Sequence, residues 1–393
     1  MSSESTFGQN DWLVDEMFQQ YQEDPNSVDE EWREMFEKEG RPAAGKATPL
    51  VSPAAKKASA NNTQPHKART ATKVAETTGA PSQDGRETRV DTAVKDVPQP
   101  SQKSANKKKA KQSPMDRLKP LPEAGETQLK GTFKAIAKNM DESLTVPTAT
   151  TVRDMPVKLM FENRAQINDH LKRTRGGKIS FTHIIGWAIV KSALLHPGMN
   201  VNYKVVDGKP FVVTPEHINL GLAIDLPQKD GTRALVVAAI KECETLTFDQ
   251  FVKAYEDIVA RARQNKLKLE DFQGVTIQLT NPGGIGTRHS IPRLTKGQGT
   301  IVGVGAMDYP AEFAGASEDR LAELGVGKLV TLTSTYDHRV IQGAESGEFL
   351  RDISQLLIDD KFWDEIFRSL QIPYAPLRWA QDEPNTGINK DTR

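Results

Sequence analysis

No phenylalanine, tyrosine or tryptophan occurs between Phe36 and Phe133, whereas Trp12, Phe18, Tyr21, Trp32 and Phe36 crowd the start of the chain. A stretch of that length without an aromatic ring cannot build a core of its own. From about residue 41 to 111 it is Ala, Ser, Thr, Lys, Pro and Gln with hardly a large apolar side chain, too little to offset the entropy of ordering, so a disordered linker is expected. The Lys107-Lys108-Lys109 run reads first as a solvated charged tether, with a contact to RNA or acidic protein as the alternative. Acidic and basic side chains cancel at 52 each, which removes any global electrostatic case for nucleic acid or an anionic membrane. The one cysteine, Cys243, cannot form an intramolecular disulfide. No apolar run is long enough for a signal peptide or a membrane span, and a cytoplasmic protein is expected.

Before the linker, residues 1–40 read as two short helices. Leu13, Val14, Met17, Phe18 and Tyr21 share a face that ends at Asp24-Pro25, and Ser27 with Glu30 has the spacing of a capping box ahead of the stripe Val28, Trp32, Met35 and Phe36. Two helices of this size cannot bury so many large side chains between themselves. Docking on another protein or on a distant part of the same chain is expected, with a miniature self-packed hairpin as the alternative.

After the linker the pattern is that of a dense α/β domain over residues 112–359. Phe133, Ile136, Ala137 and Met140 form a helix stripe, Thr148 to Met160 reads as a strand, and Phe181 to Leu195 as a buried helix. Val205-Val206, Asp207-Gly208 and Phe211 to Val213 make a hairpin; Ile218 to Ile224 and Ala234 to Ile240 read as strands. A helix capped by Thr247 and Gln250 follows, then strands at Val275 to Thr280, Thr300 to Val304 and Leu329 to Thr335, and a last helix with Phe349, Ile353, Leu356 and Leu357. Hairpin signals among intermingled helices and strands predict a mixed rather than purely parallel sheet.

Among seven histidines, His338 stands where a β-prone run yields to a turn and a helix, a place that exposes a side chain for base chemistry or for a structural hydrogen bond. The run Ser334-Thr335-Tyr336-Asp337-His338-Arg339-Val340-Ile341-Gln342-Gly343 resembles the His-x-x-x-Asp-Gly signature of dihydrolipoyl acyltransferases, the core components of 2-oxo acid dehydrogenase complexes. Thr280-Asn281-Pro282-Gly283-Gly284-Ile285-Gly286 resembles the Thr-Asn-Gly-Gly stretch of the succinyl-transferring members, and Leu129 to Met140 the helix that opens their catalytic domain. Trp12 to Phe36 resembles the N-terminal docking segment of 2-oxoglutarate decarboxylase components. The likeness therefore narrows to the actinobacterial multifunctional 2-oxoglutarate dehydrogenases, in which a succinyltransferase domain is fused ahead of a thiamine-dependent decarboxylase. Residues 360–393 would begin that decarboxylase portion, and the chain would be an N-terminal fragment.

The resemblance implies a two-layer fold like chloramphenicol acetyltransferase, and transfer of a succinyl group between dihydrolipoamide and coenzyme A in the tricarboxylic acid cycle. His338 would be the base and Thr280 the oxyanion donor, with Asp337, Arg339, Gln342, Gly343 and Asn281 supporting the loops around them. Without the likeness Thr280 reads as a strand-terminal residue that satisfies local backbone. Coenzyme A is then a substrate, and the lipoyl arm comes from a partner, since no lipoyl domain is visible. By the same resemblance that partner is the lipoylated acyltransferase of a pyruvate dehydrogenase complex, accompanied by dihydrolipoyl dehydrogenase. Thiamine diphosphate and magnesium belong to the decarboxylase portion, and self-assembly into trimers or multiples of them is implied. Gln342 replaces the family's usual aspartate and Phe133 its arginine, so a neutral pair is expected in place of a buried salt bridge. A catalytically silent trimeric scaffold is the alternative, and a free-standing acetyltransferase of the chloramphenicol type a third. The glycines at 283, 284 and 286 and at 303 and 305 lack the lysine of a phosphate loop and read as tight turns.

Overall fold

The computed structural model describes residues 14, 17, 18, 20–22, 24, 25, 28–38, 113–121, 124–130, 132–227 and 233–379. The expected linker, Ser27 and the run Lys107-Lys108-Lys109 lie outside these residues, as do residues 380–393. The chain divides into two units, one of residues 1–45 with 128–393 and one of residues 46–127. The described part of the second unit holds one 3-10 turn, Met115–Arg117.

In chain order the larger unit contains helix α1 (Glu30–Lys38), α2 (Thr132–Ser143), strand β1 (Thr148–Pro156), α3 (Lys158–Arg173) and α4 (Phe181–Leu195). Strands β2 (Asn202–Val206), β3 (Lys209–Val213), β4 (Leu220–Pro227) and β5 (Arg233–Ile240) follow, then α5 (Phe248–Arg263) and β6 (Ile277–Thr280). The series closes with β7 (Thr300–Asp308), α6 (Glu318–Glu323), β8 (Leu329–Asp337), α7 (Gly343–Leu356) and α8 (Asp360–Ser369). Six strands make one sheet in the order β1-β8-β7-β6-β4-β5; β4, β6 and β7 run parallel, and the pairs β1–β8, β7–β8 and β4–β5 antiparallel. The mixed sheet is as expected. Where the sequence reads as one long strand, Pro156 ends β1 and Leu159, Met160, Asn163, Ile167 and Leu171 recur at helical spacing along the buried side of α3.

Alternate residues of each strand enter one core with the helices: Leu220, Leu222, Ile277, Leu279, Val302, Val304, Val330, Leu332 and Tyr336 pack against Trp187, Phe248, Phe251, Phe349 and Ile353. Helix α8 joins the same core through Phe362, Trp363, Ile366 and Phe367, each contributing about 1.5–3 kcal/mol of apolar burial. The packed body therefore runs past the expected boundary at residue 359. Asp207 and Gly208, at φ 50° and 73°, close the β2–β3 hairpin as a primed turn that follows the right-handed twist of its strands. That hairpin forms a sheet of its own, with Val205, Val206, Phe211, Val212 and Val213 exposed.

The N-terminal aromatics find their surface on the same chain. Val14, Tyr21, Val28, Trp32 and Phe36 bury against Val236 of β5 and Phe272, with the Trp32 and Phe272 rings 6.3 Å apart. A self-packed hairpin is thereby excluded for the described residues. No described helix is long and apolar enough to cross a membrane.

Helix α4 begins with a reciprocal cap in which Ser180 Oγ accepts from the His183 amide and His183 Nδ1 accepts from the Ser180 amide. His183 is fully buried, and its Nε2 lies 3.1 Å from Glu256 but off the line of a hydrogen bond. Burial, with Arg164 adding to it, pushes this imidazole down to about 4. As pH falls from 6.5 towards 4, the unfolded chain takes up a proton that the folded chain refuses, so stability drops by up to roughly 3 kcal/mol and then levels off. His183→Gln keeps an N3 cap but cannot titrate. Its denaturation midpoint should fall less between pH 7 and 4 than the parent's; equal falls would contradict this account.

Candidate functional site

Strand β8 delivers the His338 loop. Asp337, the last strand residue, is buried; its amide donates to Gly299 O at 2.9 Å, and the His338 amide donates to Pro147 O at 2.9 Å. Two amides, of Val340 and Ile341, return to Asp337 O, closing a tight turn ahead of α7. The His338 ring Nδ1 lies 3.1 Å from Ile341 O, and a carbonyl only accepts, so Nδ1 carries the proton. The lone pair of Nε2 is left free on an exposed ring. Tyr336 meets this ring edge-on at 5.6 Å, and a Cβ at Gly343 would come within 3.3 Å of the Tyr336 hydroxyl, which fixes that turn close to β8.

Asp337 also grips Arg339 in a bidentate pair at 2.8 and 2.6 Å, and accepts from the Arg339 amide at 3.1 Å. The guanidinium lies over Tyr203 of β2, its Cζ 3.8 Å from the ring centroid, which ties the exposed hairpin to the histidine loop. The hydrogen bonds that Arg339 donates to Asp337 hold its guanidinium above its ordinary pKa. Tyr203, Ile341 O and Pro147 O are absent from the sequence reading because backbone acceptors and cross-element stacking leave no spacing pattern. Gln342 and Phe133, expected as a neutral pair, both have exposed side chains, and Gln342 makes no side-chain cap on α7. The loop is held by Asp337 and by backbone bonds instead.

Thr280 ends β6 on a different edge. Ile277 and Leu279 enter the core, so Gln278 and Thr280 stand on the opposite face of the sheet. Asn281 donates to Thr182 Oγ1 at 2.8 Å and accepts from the Gly283 amide at 3.1 Å, anchoring the turn after Thr280. Gly283 has no room for a side chain, since a Cβ there would run into the backbone of Gly305 and Ala306; close approach to β7, not a phosphate cradle, explains it. Cys243 is buried and donates to Ile240 O, and burial pushes its thiol up to about 12, which leaves it inert.

The structure thus gathers Asp337, His338, Arg339, Gln342 and Gly343 at one end and Thr280 with Asn281 at the other. Thr280 pairs with Gly303 and Gly303 with Thr333, so Thr280 lies two strands away from β8 and level with a residue five positions before His338. At strand spacings of about 4.8 Å and rises of about 3.4 Å this puts the two Cα atoms about 19 Å apart, beyond the reach of a shared reacting carbon. One chain carries two half-sites.

Replacing Arg339 strands the buried Asp337 carboxylate, whereas replacing Asp337 leaves a guanidinium that can turn to water. Arg339→Ala should therefore lower stability by about 3 kcal/mol in urea unfolding, and more than Asp337→Ala. A smaller loss for Arg339→Ala would contradict the geometry.

A family model described as 2-oxoacid dehydrogenases acyltransferase (catalytic domain) matches residues 122–363, and one described as 2-oxoglutarate dehydrogenase N-terminus matches residues 3–41. The chain is 65% identical over 393 residues to the 2-oxoglutarate dehydrogenase E1/E2 component of Corynebacterium glutamicum, covering 100% of this chain and 30% of that protein. To the multifunctional 2-oxoglutarate metabolism enzyme of Mycolicibacterium vanbaalenii it is 55% identical over 404 aligned residues, covering 100% of this chain and 31% of that protein. The chain spans about a third of the length of these curated relatives. Among solved structures, the dihydrolipoamide acetyltransferase of Azotobacter vinelandii superposes with a TM-score of 0.52 at 21% identity, over 64% of this chain and 100% of that one. A truncated catalytic core of the 2-oxoacid dehydrogenase complex of Thermoplasma acidophilum gives 0.50 at 24%, over 60% and 99%. At these identities the likeness is one of fold.

Proposed function

Since the chain belongs to the 2-oxoacid dehydrogenase acyltransferase family, we propose that it transfers a succinyl group between dihydrolipoamide and coenzyme A at sites built from neighbouring copies of itself. The observation that carries this reading is the pair of half-sites: an imidazole with Nε2 free at one end of the sheet and a threonine at the other, their Cα atoms about 19 Å apart. A second copy must bring its Thr280 to the first copy's His338. Apolar side chains left exposed on the hairpin (Val205, Phe211, Val212) and on α2 (Phe133, Met140) support such self-association, and a trimer closes it symmetrically.

The chemistry follows from the residue types. A coenzyme A thiol with a pKa near that of cysteine is mostly protonated at neutral pH, and His338 Nε2 removes that proton as the sulfur attacks the succinyl thioester of dihydrolipoamide. The bond from Nδ1 to Ile341 O keeps the ring aimed while it becomes cationic. Negative charge gathers on the former carbonyl oxygen, where the Thr280 hydroxyl of the neighbouring copy donates a hydrogen bond. When the carbon–sulfur bond to the lipoyl arm breaks, Nε2–H returns the proton to the leaving sulfur, and the enzyme ends as it began. Succinyl preference is supported by the 2-oxoglutarate relatives. In this reading a lipoylated acyltransferase supplies the arm, dihydrolipoyl dehydrogenase reoxidises it, and thiamine diphosphate with magnesium serves the decarboxylase of the longer relatives.

His338→Ala and Thr280→Ala should each assemble normally and lose at least about a hundredfold in CoA-dependent succinyl transfer. Unfolded together and reassembled in equal amounts, they should regain about a quarter of the parental activity, because that share of interfaces pairs an intact histidine with an intact threonine. Mixed assemblies as inactive as either parent would contradict sites shared between copies.

A further inference from the structure

Gln278 stands on the same face of β6 as Thr280, two residues and about 7 Å before it. It is 1% exposed, and both Oε1 and Nε2 are buried without a hydrogen-bond partner; among the described residues it is the one side chain with both amide atoms so placed. Burying an amide whose donor and acceptor are both unsatisfied is destabilising, and native structures tolerate it chiefly where something else supplies the bonds. The neighbouring strand makes room for it. Gly221 pairs with Gln278 in the sheet, and a Cβ at Gly221 would run into Val275 Cγ1 and crowd Val237 Cγ1 and Gln278 Cγ at 3.1 and 3.2 Å, so the missing side chain leaves room for all three.

We infer that Gln278 is a substrate-positioning residue whose side-chain amide pairs with an amide of the thiol substrate, one N–H···O bond in each direction. The inference rests on the acyltransferase reading and adds a residue to that site. A carboxylate, such as that of the succinyl group, fits less well: it would accept from Nε2 but leave Oε1 facing an anion. A secondary amide satisfies both atoms. Two substrates carry one close enough to a reacting sulfur to matter, the pantetheine arm of coenzyme A and the lipoyl-lysine arm, and the chemistry is the same for both. Pairing at a fixed distance from Thr280 sets how deep the arm enters, and so where its sulfur stops.

Gln278→Met keeps the length and volume of the side chain and removes the amide. Calorimetric binding of coenzyme A, dihydrolipoamide and dihydrolipoate to the assembled parent and variant, read without turnover, tests the inference, with thermal unfolding and oligomeric mass measured alongside. Affinity for one amide-bearing thiol should weaken about tenfold while the melting temperature holds or rises. Loss confined to coenzyme A assigns the pantetheine amide; loss confined to dihydrolipoamide, with dihydrolipoate unaffected, assigns the lipoyl amide. Unchanged affinity for both thiols overturns the inference, as does a lowered melting temperature with lost assembly, which would make the amide structural. A parent that binds neither thiol fails the acyltransferase reading itself.

Discussion

A sheet in which β7 runs parallel to β6 and antiparallel to β8 delivers the C-terminal ends of those two outer strands to opposite edges. That single constraint decides the chemistry available to one chain. His338 follows the end of β8 and Thr280 closes β6, so the proposed base and oxyanion donor cannot meet without a second molecule. The register is not free to slip. Ile277, Leu279, Val302, Val304, Val330 and Leu332 all lie in the same core, and a shift of one residue would turn them out while turning Gln278 and Thr333 in. The separation of the two half-sites is in this way tied to the packing that holds the helices on the sheet.

The histidine loop holds the His338 imidazole without the charged pair usual in the family, since Gln342 and Phe133 stand in its place. Backbone bonds from His338 and Ile341 set the turn, Asp337 is neutralised locally by Arg339, and Arg339 is pinned by Tyr203. The Asp337 charge beside the ring is thus matched two residues away, and Gln342 is exposed. At the far side of the body the N-terminal aromatics lie on Val236 and Phe272 and extend the helical layer beyond β5, where an apolar strip would otherwise face water.

Much of this was legible in the residues. The buried helix at Phe181 to Leu195, the Asp207-Gly208 turn, the Thr247–Gln250 cap and the strands leading to Thr280 and His338 each carry a local physical signal, and each stands where expected. Helix α3 was hidden because its apolar positions follow directly on a β-prone run, so the break at Pro156 reads as an interruption and not as an end. The Trp32–Phe272 contact and the Arg339–Tyr203 stack join residues far apart in sequence, and no periodicity encodes such partners. In the sequence Gln278 is one polar residue in an alternating strand; its burial without a partner is what sets it apart.

The central claim is that the working site exists only between copies. The most direct measurement is specific activity in CoA-dependent succinyl transfer as the protein is diluted through its dissociation range, with mass read by sedimentation in the same samples. Activity that falls in proportion to the assembled fraction and vanishes in the monomer is the predicted result. A monomer that retains full specific activity would contradict the account, because it would have to bring together two residues that the sheet holds about 19 Å apart.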